Sequence, residues 1–167
     1  QGIMDFRQTR RNLVRETFAR LATGQSPDGL FIACSDSRVA ANVFASTDPG
    51  DLFVIRNVGN IVPSFPNTGS TVAGLDFAIH TLKVRHIIVC GHSDCGAMRA
   101  LAQKTDEGKE TPLGLWLRHA KAVTKDGISN QDDLSKKNVA LQLENLRTHP
   151  AIKEKESAGE LTLHGIW

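Results

Sequence analysis

Cys34, His92 and Cys95 carry the side-chain atoms that bind soft divalent metals. His92 and Cys95 form an H-x-x-C pair inside the stretch Gly91-His92-Ser93-Asp94-Cys95-Gly96, and Cys34 opens the stretch Cys34-Ser35-Asp36-Ser37-Arg38. Two thiolates and one imidazole suit zinc in tetrahedral geometry, and three protein ligands leave the fourth position for water, as in a catalytic site. Sulfur ligands disfavour magnesium, calcium and manganese, whereas cobalt and cadmium remain compatible. An isolated H-x-x-C pair is unspecific; it also fits a histidine at a helix start beside a small buried thiol. Asp36 and Arg38 follow Cys34 closely. Asp36 is either a fourth ligand or an acceptor for a hydrogen bond from metal-bound water. Arg38, paired with it, would hold it in the second role. An ordinary loop ion pair is the plain alternative.

Other chemistries fit less well. Gly91 to Cys95 comes close to the G-x-S-x-G elbow of α/β-hydrolases, but the last position is Cys where the tight turn wants Gly. No G-x-G-x-x-G follows an expected strand, and no P-loop is present. Tyrosine is absent altogether. The third cysteine, Cys90, reads as small core packing on a strand.

The elements that must position these residues are legible as alternating apolar runs. Leu30 to Ala33, Leu52 to Ile55 and His86 to Cys90 read as buried strands, the first ending at Cys34 and the third at Gly91. Residues 161–167 read as a final strand. Helical spacing marks Val72, Leu75, Ile79 and Leu82, with Ser70 or Thr71 as the cap. A helix follows Gly96; Thr111 and Pro112 make a cap and first turn for another; Val139, Leu143 and Leu146 mark one more, which stops near His149-Pro150. Residues 103–111 read as a polar loop. Ile3, Phe6, Leu13, Val14, Phe18 and Leu21 form a helical stripe among Arg7, Arg10, Arg11, Arg15 and Arg20. This segment is either a solvated basic face or an arm that packs on a partner subunit. Strands alternating with helices predict an α/β domain with a mostly parallel central sheet flanked by helices. In such sheets ligands bind at the carboxyl ends of the strands, which is where both metal-binding stretches fall.

The whole chain fits one domain. Its 167 residues are 40% hydrophobic and 23% charged, enough for a packed core without disulfide staples. No apolar run approaches the ~20 residues needed to cross a bilayer. A net charge of +2 argues against electrostatic nucleic-acid binding. Three cysteines make a disulfide framework improbable on arithmetic alone and fit a reducing, cytoplasmic setting. No leader pattern opens the sequence, although it begins at Gln1 and not Met, so its natural start is expected to lie elsewhere.

Taken with Arg56-Asn57-Val58-Gly59-Asn60 and the extension Gly96-Ala97-Met98, the two metal-binding stretches make the sequence resemble the β-class carbonic anhydrases, from about Gln25 to His164. The resemblance implies one zinc ion per subunit on Cys34, His92 and Cys95, with Asp36 and Arg38 as a catalytic dyad. It implies reversible hydration of carbon dioxide to bicarbonate and a proton. Gln25 would donate a hydrogen bond to bound bicarbonate, and Phe53, Val58, Gly59 and Phe77 would line the carbon dioxide pocket. It further implies an N-terminal helical arm at about 3–22 lying across a neighbouring subunit, a zinc-binding core at about 28–167, a pocket completed between subunits, and a homodimer or tetramer with no nucleic-acid or membrane partner. The inhibitory bicarbonate site of some relatives is not expected, because Phe31 stands where they carry Trp and no Tyr is available. Relatives continue past His164-Gly165, so a C-terminal tail is expected to be missing and assembly beyond a dimer is in question. Two rival functions keep the metal: hydrolysis of carbonyl sulfide or carbon disulfide, and a structural or bicarbonate-sensing module without turnover.

Overall fold

The computed structural model of the chain describes residues 1–105, 110–125, 127 and 130–167. Four strands form one sheet: β1 (Gly29–Cys34), β2 (Leu52–Asn57), β3 (His86–Cys90) and β4 (Thr162–Ile166), in the order β2-β1-β3-β4. All three neighbouring pairs are parallel. The registers place Cys34 opposite Asn57 and Ala33 opposite Cys90, so the carboxyl ends of β2, β1 and β3 finish within a residue of one another. β1 is buried along its full length, as a continuous apolar strand in the middle of a parallel sheet must be.

One face of the sheet carries the main core. Leu30, Ile32, Ile87 and Val89 pack there against Leu75 and Ile79 of the segment 70–82, and against Val139, Leu146 and Ile152. The elements behind these residues are α4 (Ser70–Phe77), which widens into a π-type turn over Ala78–Leu82, α7 (Gln131–Arg147) and α8 (Pro150–Ser157). A second apolar cluster forms around the strand ends, where Cys34 and Cys95 meet Ile61, Met98, Leu117, Ala120 and Leu134. It is built by α5 (Gly96–Gln103), α6 (Pro112–Leu117) with its 3₁₀ extension Arg118–Thr124, and the start of α7. The opposite sheet face buries Phe31, Ala33, Cys90, Val39 and Ala41 under the short α3 (Ala41–Phe44). Cys90 therefore packs as expected.

Several elements depart from the sequence reading. The N-terminal segment is not one helix: it runs as α1 (Gly2–Asp5), a π-type turn over Phe6–Arg10, a break, and α2 (Arg15–Leu21). Ile3, Met4, Leu13 and Phe18 remain exposed, so most of the stripe finds no core among the described residues to hold a continuous helix. Neither Ser70 nor Thr71 caps α4; Gly69 takes the cap position without a side-chain bond. Pro150 ends α7 but also opens α8, where its missing N–H costs nothing. The Thr111 cap is present, its hydroxyl accepting from the Gly114 N–H at 3.0 Å. Part of the expected polar loop at 103–111 lies outside the described residues. No helix of the described residues is long and apolar enough to cross a membrane.

Candidate metal centre

Two turns at the carboxyl edge of the sheet build the site. β1 delivers Cys34 and continues into Asp36 and Arg38; β3 delivers the turn Gly91 to Cys95, from which α5 starts with Cys95 at its N-cap. Asp94 adopts a left-handed backbone (φ 52°), which reverses the chain between the two ligands. The ligand atoms of Cys34, His92 and Cys95 all lie within 4.8 Å of one another. Cys34 and Cys95 are buried. His92 Nδ1 sits 2.8 Å from the Ser93 carbonyl; with Nδ1–H donating to that oxygen the ring is fixed and the Nε2 lone pair is left free to bind a metal. That Nε2 is buried and has no hydrogen-bond partner. A buried, unpartnered imidazole nitrogen facing two thiol sulfurs is the signature expected of a metal ligand set, so these three residues fit a zinc ion.

The thiols are electrostatically linked. The hydrogen bond from Cys95 lowers the pKa of the Cys34 thiol, helped by the Gly59 N–H, which points at its sulfur from 3.3 Å. Cys95 is pushed up, first by sharing its proton with the Cys34 sulfur and then by burial.

Asp36 does not point into this cluster. It is held by Arg38, whose Nε donates to Oδ1 at 2.9 Å and Nη2 to Oδ2 at 2.7 Å, while the Arg38 backbone N–H adds a third bond at 3.0 Å. These contacts hold the Asp36 carboxyl well below the usual carboxylate range, the side-chain bonds of Arg38 being the largest cause. Arg56 ties the same turn down by donating to the carbonyls of Cys34 (3.1 Å) and Asp36 (2.6 Å).

The other expected pocket residues divide into two groups. Val58 and Gly59 follow β2 directly and lie beside Cys34. Phe53 and Phe77 pack on each other with ring centroids 5.8 Å apart, but Phe53 pairs with Leu30, four positions back along the strand, about 13 Å from the Cys34 level. Gln25 is exposed in a shallow depression with Leu21, Pro49 and Asp51 before the start of β1 and β2, a full strand of about 17 Å from Cys34. Within one chain these three residues are not part of the metal centre.

Sequence reasoning passed over several residues that shape the site. The Trp116 indole N–H donates to the Val58 carbonyl at 2.7 Å, and Asn138 Nδ2 to the Gly59 carbonyl at 2.9 Å. Ser135 Oγ donates to the His92 carbonyl at 2.8 Å. Ser135, Asn138 and Gln142 are buried polar residues on the inner face of α7; their i, i+3, i+7 spacing inside an apolar stripe was a readable signal. Trp116 offered none.

Residues 29–167 match the family model described as carbonic anhydrase. A carbonic anhydrase of Pseudomonas aeruginosa is 42% identical over 173 residues, which cover 98% of this chain and 79% of that protein. One from Synechocystis is 39% identical, and the chain spans 64% of that relative's length. Among solved structures, the β-carbonic anhydrase CcaA superposes with a TM-score of 0.90 at 38% identity, covering 99% of this chain and 80% of that one. The fold and site define a parallel α/β domain with a cysteine–histidine–cysteine metal-ligand cluster at its carboxyl edge. The chain belongs to the β-carbonic anhydrase family, a family of lyases.

Proposed function

We propose that the protein hydrates carbon dioxide reversibly to bicarbonate and a proton, with zinc held by Cys34, His92 and Cys95. The observation that carries this reading is the convergence of those three ligand atoms within 4.8 Å around the unpartnered Nε2 of His92. When bound, zinc supplies Lewis acidity that lowers the pKa of a water in its open position toward neutrality. The residues of the chain supply orientation. Asp36, kept ionised and turned by Arg38, can only accept hydrogen bonds. It would therefore accept a hydrogen bond from the nucleophilic oxygen and leave that oxygen's lone pair free for the substrate carbon. Carbon dioxide carries no charge to grip, so the apolar side chain of Val58 beside the site makes a suitable wall. The Gly59 N–H fixes the Cys34 sulfur and keeps that wall in register with the metal ligands.

Gln25, Phe53 and Phe77 enter as contributions to the site of a second subunit. Their distance from Cys34 in their own chain supports this, as do the exposed apolar side chains of the arm, Ile3, Phe6, Leu13 and Phe18. A relative from Sordaria macrospora, 31% identical with a TM-score of 0.84, is described as tetrameric. The assembly proposed here is at least a homodimer in which the arm lies on the neighbour, with no membrane or nucleic-acid partner, acting in the cytoplasm.

Stopped-flow measurement of carbon dioxide hydration, before and after zinc removal by a chelator, tests the reading. Hydration that disappears with the zinc and returns on its addition is expected. Zinc-containing protein without hydration would favour a structural or sensing site, and turnover of carbonyl sulfide or carbon disulfide in its place would change the substrate.

A further inference from the structure

Arg38 is gripped from two sides. One edge of its guanidinium holds Asp36; the other faces Asp94, with Nη1 3.3 Å from Oδ2 of the carboxylate and Nη2 3.1 Å from the Asp94 backbone carbonyl. Asp94 belongs to the other turn, between the metal ligands His92 and Cys95. Its left-handed backbone turns the carbonyl and the carboxylate to the same guanidinium. The rest of Asp94 is fastened to α5 and α7. Arg99 of α5 pairs with Oδ1, and Gln131 Nε2 donates to the same oxygen at 3.3 Å. The backbone N–H of Asp94 donates to Asp132 Oδ1 at 3.0 Å. Gln131 Nε2 also donates to the Cys95 carbonyl at 2.9 Å, so the anchor of Asp94 and the anchor of a metal ligand are one side chain.

We propose that Asp94 is a positioning residue: it sets the orientation of Arg38, and through it Asp36, and so links the His92–Cys95 ligand turn to the Asp36–Arg38 pair. The reasoning is geometric. A guanidinium held by Asp36 alone shares the freedom of the loop that carries both residues, because they are two positions apart. A second clamp from a different strand end fixes it against the metal ligands. A bidentate guanidinium whose two Nη groups are also engaged from another turn has few orientations left. With the Asp94 carboxylate removed, Arg38 keeps the carbonyl contact but loses its Nη1 partner. Asp36 then has more freedom to turn toward the metal as a fourth ligand. This inference rests on the proposed role of the Asp36–Arg38 pair.

Asp94→Gly and Asp94→Asn separate side chain from backbone. Glycine accepts the left-handed conformation and keeps the carbonyl, so it deletes the carboxylate alone. Asparagine also tolerates that conformation and keeps an acceptor oxygen. The experiment compares both variants with Arg38→Ala, reading zinc content, the hydration rate of the zinc proteins, and the visible absorption of their cobalt-substituted forms. The expected result is a fall in kcat of about fivefold for Asp94→Gly, with unchanged zinc content. Its cobalt spectrum shifts in the direction seen for Arg38→Ala, and Asp94→Asn restores most of both. In the Arg38→Ala background, Asp94→Gly adds nothing. An Asp94→Gly spectrum identical to that of the unmodified protein, while Arg38→Ala moves it, overturns the positioning role and leaves the dyad intact. Losses that multiply in the double variant, or loss of metal from Asp94→Gly, overturn it too, by showing that Asp94 acts on the ligand turn and not through Arg38. An Arg38→Ala protein with unchanged rate and spectrum would instead remove the dyad reading beneath it.

Discussion

The carboxyl edge of the sheet and its amino edge are built on opposite terms. At the carboxyl edge a single chain completes a ligand set: β1 and β3 end within a residue of one another, two turns bring Cys34, His92 and Cys95 together, and α5 and α7 brace them from behind. At the amino edge Gln25 is exposed, Phe53 at the margin of the core packs on the exposed Phe77, and the arm displays Ile3, Leu13 and Phe18 to solvent. The first region is finished by its own hydrogen bonds; the second has the surface of something still to be covered. The metal-ligand set is thus a property of the single chain, whereas the substrate pocket, as proposed, is a property of the pair.

Removing a ligand breaks the carboxyl-edge half of this contrast most strongly. Cys34→Ala is expected to take zinc from about one ion per chain to near zero, with loss of hydration, because structural affinity for the ion comes from the thiolates. Metal analysis of the purified protein reads this directly; full activity in a zinc-free variant contradicts the mechanism. Arg38→Ala leaves the ligands in place and is expected to lower kcat by about 10- to 100-fold, as loss of an outer partner does at other metal sites. Its pH–rate profile should change shape as well, and an unchanged profile would show that the ion pair is ornamental.

Deleting residues 1–22 addresses the amino edge. Sedimentation should report monomers where the intact chain gives dimers, zinc content should hold, and kcat/KM should fall by about tenfold through lost positioning of the substrate. A truncated chain that is still dimeric and fully active would mean that the arm is merely a solvated basic face. A smaller effect is expected beside the Val58 wall. His119, whose ring lies edge-on to Trp116 at 5.8 Å, is held below the ordinary imidazole range by burial. The unfolded chain then binds more protons than the native one between the depressed pKa and about 6.5. Stability is present above about pH 6.5 and declines as pH falls through the depressed value. His119→Gln should flatten that slope in denaturant unfolding, by less than about 1 kcal/mol for a group only partly buried.

Much of the carboxyl edge could be read from the sequence, and the reason is local. Each ligand-bearing turn directly follows an uninterrupted apolar run, so strand, strand end and chemistry fall within a dozen residues. The parallel sheet follows from the same alternation. What escaped depends on contacts between distant segments. Trp116 and Val58 are 58 positions apart, and Gln131 and Asp94 are 37 apart; neither pair has a spacing that could announce it. Pro150 was ambiguous, since one residue both stops α7 and starts α8. The placement of Phe53 and Gln25 could be foreseen only in part. A family pattern names pocket residues without saying which chain brings them, and β1 here holds Gln25 a strand's length from Cys34. The broken helix of the arm shows the same dependence: its apolar stripe was visible, but most of that stripe has no apolar cover among the described residues.

X-ray absorption at the zinc edge of the purified protein measures the central claim without relying on turnover. Two sulfur neighbours near 2.3 Å and one imidazole nitrogen near 2.0–2.1 Å, with the signal nearly lost in Cys34→Ala and any residual zinc there showing one sulfur fewer, are the predicted result. A shell of light atoms alone, or a sulfur count untouched by that substitution, would contradict a metal shared by Cys34, His92 and Cys95.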